Sequence, residues 1–300
     1  MSASLAIAAV SPEDRPEALR LLFSRFEPPQ AEEYVRLYLE AFDGAMDPAG
    51  LLEARRAGQR VGAAFFQIET GRTAMIWPPR LVANEPRETA VQLIETVARR
   101  LNQAEVRLAN ALLEADSPDA ELLQTAGFRQ FARLLYLVAS EEAFPQQQPE
   151  TAVELETYSA QNHDRMAATI EATYQGSLDC PAMDGLRPLD EVLAGYRGVG
   201  VYSPDRWFLV RVEGADAGCL LLADHPREES WELVYMGVVG RFRGRGLGRQ
   251  IVRWAQWLAG RAGRRRLVLA VDAANAPAVA MYQSTGMIVW DLRDCFSRTI

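Results

Sequence analysis

Between Arg241 and Arg266 the chain carries nine arginines and no acid, although its formal net charge is −8. Inside that block Gly244, Gly246 and Gly248 alternate with Arg245 and Leu247, shortly after the apolar run Leu233–Val239. Leu247, Ile251, Trp254, Ala255 and Leu258 then recur at helical spacing. A strand, a glycine turn and a helix start make an anion site. The first N–H groups of a helix lack partners, the helix dipole favours negative charge there, and glycine lets a phosphate approach the backbone. The chemistry expected is a grip on a phosphorylated ligand, with Arg241, Arg243, Arg245 and Arg249 available for charge-assisted contacts.

The rest of the composition narrows what this grip can serve. All 32 basic residues are arginine. Without lysine there is no Schiff base and no P-loop of the nucleotide-hydrolysing kind, which needs Gly-Lys-Ser/Thr. The two histidines, His163 and His225, make a His-based triad or a multi-histidine metal site hard to build. Three irregularly spaced cysteines, Cys180, Cys219 and Cys295, argue against a disulfide framework or a zinc site and for a reducing cytoplasm. No metal is expected. Cys180 has no histidine suitably placed to activate it as a nucleophile. The acidic balance argues against general nucleic-acid binding. No apolar stretch approaches the ~20 residues that a membrane helix needs, and the start Met1-Ser2-Ala3-Ser4-Leu5 lacks the pattern of a signal peptide.

The chemistry must be positioned by a chain that reads as two similar halves. Charge divides unevenly between them: residues 1–150 hold 15 basic and 22 acidic residues, residues 151–300 hold 17 and 18. The polar, proline-bounded stretch 140–151 reads as a linker. In the second half, strands are expected at Val153–Tyr158, Trp207–Val212, Cys219–Ala223, Leu233–Val239, Leu267–Val271 and Met287–Leu292. Helices are expected at Ser159–Tyr174, up to about Tyr196, after the glycine turn, and at Asn275–Ser284. The first half repeats this order: strands at Leu51–Ala57, Val61–Glu69, Thr73–Leu81, Glu105–Ala109 and Phe131–Val138, and helices at Pro86–Leu101 and Pro118–Thr125. Gln124-Thr125-Ala126-Gly127 matches Gln283-Ser284-Thr285-Gly286, which points to an internal duplication. The copies differ where chemistry would sit. The first has Val82-Ala83-Asn84-Glu85-Pro86-Arg87 in place of the glycine turn, and Leu123 in place of Tyr282.

Arg243-x-x-Gly246-x-Gly248 after a strand, followed by Asn275-x-x-Ala278-x-x-x-Tyr282-x-x-x-Gly286, resembles the GNAT family of acyl-CoA-dependent N-acyltransferases. The likeness is strongest over residues 200–292, weaker over 152–200, and weakest over 1–139. The tandem arrangement is similar to that of the mycothiol synthases. The resemblance implies an α/β fold of two tandem GNAT-like domains, each a mixed, mostly antiparallel twisted sheet flanked by helices. Residues 1–139 would be a degenerate, non-catalytic domain and 152–300 the acyltransferase domain.

It also implies a site. Acetyl-CoA would lie in a V-shaped gap between the Leu233–Val239 and Leu267–Val271 strands. Main-chain groups of Met236, Val238 and Val239 would hold the pantetheine arm and the thioester carbonyl. Amides of Arg243, Gly244, Arg245, Gly246, Leu247 and Gly248 would wrap the pyrophosphate. Tyr282 stands where the family keeps the acid that protonates the leaving thiolate. Glu232 matches a base glutamate, and strand alternation would put it on one face with Val234, Met236 and Val238. Asn275 can cap its helix or touch the pantetheine, and the two are compatible. Asp179, Asp184 and Arg187 occupy the stretch expected to wall the acceptor, and an aspartate there suits a cationic amine. The same residues also have plainer readings: Tyr282 as helix packing, Glu232 as an exposed strand-start acid, and the Gly176–Pro188 stretch as a solvated loop. Trp254 and Trp257 read as helix packing. The partners expected are acetyl-CoA and an amine, a small metabolite first, with the protein a monomer or homodimer. The competing reading is a non-catalytic acyl-CoA-binding regulator.

Overall fold

The computed structural model describes residues 4–44 and 46–300. The chain divides into two compact units, and neither is a continuous stretch of sequence. Unit 1 comprises residues up to Gln130 together with Cys295–Ile300, and unit 2 comprises Phe131–Asp294.

Unit 1 is built from β1 (Leu5–Ala9), α1 (Arg15–Leu22), α2 (Pro28–Phe42), β2 (Leu51–Arg56), β3 (Gln59–Glu69), β4 (Thr73–Leu81), α3 (Arg87–Gln103), β5 (Leu108–Glu114) and α4 (Asp119–Thr125). The sheet order is β1-β2-β3-β4-β5. Alternate side chains of each strand feed two cores. Leu52, Ala64 and Phe66 pack with Leu93, Ile94 and Val97 of α3. Leu51, Ala63 and Phe65 pack with Leu19, Leu22 and Val35 of α1 and α2. The expected strand at Glu105–Ala109 begins later, at Leu108, because Glu105 turns through positive φ (56°) at the end of α3. Val106 is buried as the turn closes over α3 rather than as part of a strand.

Unit 2 contains β6 (Arg129–Ser140, from Phe131 on), β7 (Glu154–Thr157), α5 (His163–Tyr174), α6 (Leu189–Arg197), β8 (Trp207–Val212), β9 (Ala215–His225), β10 (Ser230–Val238), α7 (Leu247–Arg261), β11 (Arg266–Asp272), α8 (Ala276–Gln283) and β12 (Ile288–Thr299, up to Asp294). Its order runs β6-β11-β10-β9-β8-β7. Strand parity again separates two faces. Phe208, Val210, Leu220, Leu222, Trp231 and Leu233 face α7 and α8. Trp207, Leu209, Cys219 and Leu221 face α5 and α6.

The units depart from the expected division at residues 139 and 152. Residues 131–140 belong to unit 2, where Leu134–Ser140 pair antiparallel with all seven residues of β11, Arg266–Asp272. Residues 295–300 return to unit 1, where Phe296 enters the α3 core and Ile300 donates to the Arg107 carbonyl at 3.0 Å. Each half of the sequence therefore gives its last strand segment to the other unit. The 140–151 stretch is not a free linker throughout. Glu141–Ala143 forms a short 3-10 turn, and Phe144 is buried in the α7 core.

Candidate active site

β10 and β11 run parallel and pair through only three residues: Ser230 with Arg266, Trp231 with Leu267, Glu232 with Val268. Beyond that step each strand continues, β10 to Val238 and β11 to Asp272, without further pairing to the other. The two strands part like the arms of a V, and the β11-facing backbone of β10 is left for another partner.

A β-bulge decides which groups face that gap. Leu233 pairs with Leu222 of β9, but Tyr235 pairs with Leu221, so Val234 is an extra residue. The simple alternation of the sequence is therefore wrong from Val234 onward. Glu232, Val234 and Tyr235 lie on the α5 side, whereas Trp231, Leu233, Met236 and Val238 lie on the α7 side. Glu232 does not share a face with Met236 and Val238. Val239 donates its N–H to Ala217 across β9 at 2.9 Å, and its carbonyl accepts from Phe242 at 2.8 Å. Its main chain is thus engaged, contrary to the ligand role expected for it. Strand alternation points the N–H groups of Val238 and Met236 the other way, toward the side β11 has left.

At the far end of β10 the chain enters the glycine turn. Gly244 and Gly246 adopt positive φ (75° and 74°), and an added Cβ at either would meet nothing within 4 Å. The requirement for glycine there is conformational rather than steric. Among the described residues, the amides of residues 244–249 donate to no protein acceptor. Six neighbouring free donors at the start of a 15-residue helix fit a pyrophosphate. Gly248 sits against Met281 and Met236 (3.5 and 3.9 Å from its added Cβ), which brings the starts of α7 and the ends of α8 and β10 together.

Arg243 is the exception in this turn. Its amide donates to Gly240, and its guanidinium donates to the carbonyls of Val238 (2.9 Å), Gly176 (2.7 Å) and Thr173 (2.7 Å). It ties the C-terminus of α5 to the end of β10, a favourable place for a cation, and spends three of its five N–H donors on main-chain carbonyls. Arg241 and Arg245 lie over the Phe242 ring at 4.8 and 5.6 Å. They and Arg249 are exposed beside the turn.

Tyr282 is buried in the α7–α8 core at 6% exposure, and among the described residues its phenol has no hydrogen-bond partner. Burial drives its pKa well above the tyrosine norm, and the nearby Asp179 carboxylate pushes the same way. Its phenol therefore keeps its proton. Asn275 caps α8 through a bond from the Ala278 amide to its side-chain oxygen at 3.3 Å. Its side chain also favours the charged form of the neighbouring Asp179 carboxylate.

Asp179 is the best-held residue of the segment between α5 and α6. The Asp272 amide donates to its carboxylate at 2.9 Å, and the Cys180 amide donates to the Asp272 carboxylate at 3.3 Å. Burial raises the Asp179 pKa, and the neighbouring Asp272 charge adds to that. Asp184 is exposed and Arg187 half-buried. Both act electrostatically on Tyr174.

Sequence reasoning missed two groups. One is a tyrosine cluster on the α5 side. Tyr196 stacks on Tyr235 (5.3 Å, 15°), the Tyr174 and Tyr196 hydroxyls are 3.0 Å apart, and Tyr235 bonds Thr173 at 2.7 Å. Burial lifts the Tyr174 pKa to about 12. The other is His225, whose Nε2 lies 2.9 Å from Glu232 Oε2. Pairing the Ala223 and Glu232 positions across the short hairpin would have revealed it. Among the described residues, no cluster of His, Cys, Asp or Glu could hold a metal ion, and no helix is long and apolar enough to cross a membrane.

Comparison with known proteins bears on the same region of the chain. Residues 170–287 match the family model described as Acetyltransferase (GNAT) family. The GCN5-related N-acetyltransferase from Sphaerobacter thermophilus is 17% identical with a TM-score of 0.62, over 98% of this chain and 95% of that one. A tandem GNAT protein from the clavulanic acid biosynthesis pathway is 13% identical with a TM-score of 0.53, over 99% and 98%. No curated protein matches the sequence. The family match thus falls on unit 2, and the chain as a whole shares the fold of GNAT proteins, a tandem one among them. That family consists of acyltransferases that use acetyl-CoA as co-substrate.

Proposed function

We propose that unit 2 transfers an acetyl group from acetyl-CoA to a primary amine of a small metabolite. The observation that carries the reading is the parting of β10 from β11 after Glu232 and Val268, with the six free amides of residues 244–249 at the end of the gap. Those amides would hold the pyrophosphate, and the Met236 and Val238 N–H groups would hold the pantetheine arm and the carbonyl oxygen. Bound acetyl-CoA would supply an activated thioester.

The two faces of the sheet then supply acid and base separately. Glu232, partly exposed on the α5 side, takes the proton of the incoming ammonium, directly or through water. Tyr282, on the α8 side, holds a proton that a leaving thiolate can accept. A cationic acceptor would approach past Asp179, whose carboxylate stands at the end of β11 near both Asn275 and Tyr282. The tyrosine cluster would wall the same approach. Localisation in the cytoplasm fits an enzyme that draws on acetyl-CoA.

The test is release of free thiol from acetyl-CoA across a panel of primary amines, together with calorimetric CoA binding. Turnover with any of them supports the reading. CoA binding without turnover would instead support a non-catalytic acyl-CoA sensor, and absence of both would sink the two readings together.

A further inference from the structure

We propose that His225 is a positioning residue: it fixes the Glu232 carboxylate so that one oxygen is left to take the proton of the acceptor amine. This rests on the reading of Glu232 as the base. In the β9–β10 pair, Glu232 lies opposite Ala223 and His225 lies opposite Ser230. The two side chains are therefore diagonal neighbours on one face, within reach across the ladder. Nε2 and Oε2 are 2.9 Å apart. An ionised carboxylate only accepts hydrogen bonds, so Nε2 carries the hydrogen. Oε2 is thereby held and Oε1 remains for the substrate. The proton moves from the ammonium nitrogen to Oε1, and the freed nitrogen lone pair is the nucleophile.

The imidazole is itself held. Gly200 has φ +51°, and a Cβ on it would lie 2.9 Å from His225 Cε1 and Nε2 and 2.7 Å from the Asp224 carbonyl. The segment is bonded there in both directions, Val201 N–H to Asp224 at 2.7 Å and Asp224 N–H to Val201 at 3.3 Å. The backbone thus closes over the ring at a position that both conformation and space reserve for glycine. Asp224, the neighbouring acid, does not compete for the imidazole. It points to the opposite face, where Arg264 grips it with two bonds of 2.7 and 2.8 Å and Arg206 lies at 3.7 Å. The His225 and Glu232 side chains keep 26% and 32% exposure, so the pair is within reach of a substrate. A surface glutamate otherwise samples several rotamers, and misplacing a reacting group by about 1 Å can cost about 100-fold in rate.

Steady-state kinetics on H225F, H225Q and G200A, beside E232Q, test this. H225F fills the ring volume without a donor and is expected to lose about 10- to 100-fold in kcat. Its KM for acetyl-CoA and its Tm should stay within error of the parent. H225Q keeps an N–H donor and should recover most of that loss. G200A should fall between them by pushing the ring from its seat. If H225F keeps the parental kcat, or if H225Q falls as far as H225F, the positioning role is wrong. E232Q separates this from the reading it rests on. A normal kcat in E232Q overturns the base itself, whereas a large loss in E232Q with none in H225F overturns only the role of His225.

Discussion

Units 1 and 2 open their parallel strands at the same step. In unit 1, Thr73, Ala74 and Met75 pair with Leu108, Ala109 and Asn110, and the pairing then stops. In unit 2, Ser230, Trp231 and Glu232 pair with Arg266, Leu267 and Val268 before the same parting. Gly62 opposite Leu81 and Gly218 opposite Val238 put the two strands in residue-by-residue register. What differs is how each gap is filled. Pro78 and Pro79 stand in unit 1 where Tyr235 and Met236 stand in unit 2, so two N–H groups are missing. Arg80 replaces Gly237, and its guanidinium reaches the Asp119 carboxylate in two bonds of 2.7 and 2.5 Å. Glu85 stands just before α3, accepting from Arg56 (2.8 Å) and Thr89 (2.6 Å). These bonds, that from Arg56 first, hold the Glu85 pKa below its usual value. Unit 1 thus carries an acid just before α3, paired with Arg56 and Thr89, and an ion pair beside its gap. At the matching places unit 2 has the unbonded amides of residues 244–249 and Gly237. On the proposed reading of unit 2, unit 1 keeps the scaffold while its own side chains satisfy the corresponding groups.

The largest effect that can break this comparison lies in the acid and base. E232Q and Y282F should each lower turnover by about 10²- to 10⁴-fold with CoA binding retained. Met75→Gln, at the matching step of unit 1, should leave turnover unchanged. Comparable losses at both positions would mean that unit 1 also takes part. The next effect is on the anion site. Gly248→Asp puts a carboxylate beside the free amides and should raise the acetyl-CoA KM by about 10- to 100-fold. Glu85→Ala should leave it alone. A second equivalent of CoA bound by Glu85→Ala in calorimetry would show that the carboxylate alone closes the first site.

Asp119→Ala leaves Arg80 unpaired in a mostly buried setting and should destabilise unit 1 by about 3 kcal/mol. Chemical denaturation would read this, and kcat should persist in the folded protein. The smallest effect tests the opposite economy in unit 2. The Asp179 pKa is raised by burial, so ionisation is less favourable in the folded chain than in the unfolded one. Its contribution to stability is complete below the unfolded pKa and is lost as pH rises through the higher folded value. D179N, which keeps an oxygen for the Asp272 amide, should therefore raise Tm by about 1–3 °C at neutral pH. The gain should vanish in acid below the unfolded pKa, while the KM for the amine rises.

Much of this is legible in the sequence. Thr73–Leu81 is a strand with the expected bounds, and the glycine turn opens α7 as its helical spacing requires. The shared Gln-x-x-Gly places α4 and α8 at the same point of each half. Other features resist a reading along the chain. One inserted residue, Val234, reverses the face of everything after it, and a period-two pattern has no way to register a bulge. Arg243 looks like a phosphate ligand from its neighbours in sequence. Its three carbonyl partners lie as far as 70 residues away. His225 acquires a role only when β9 and β10 are laid side by side. The tyrosine cluster likewise joins residues from α5, α6 and β10.

The exchanged strand ends bear on the order in which the protein can be made. Unit 1 is interrupted by 164 residues, Phe131–Asp294, before Cys295–Ile300 complete it. During synthesis its α3 core must wait without Phe296 while the whole of unit 2 emerges. Unit 2 has its borrowed strand β6 from the outset, since residues 131–140 precede the rest of it. Unit 2 is thus the unit that can close first on the ribosome, and unit 1 is the one that must finish last. A fragment beginning at residue 152 would lack the strand beside β11 and expose that edge to mispairing.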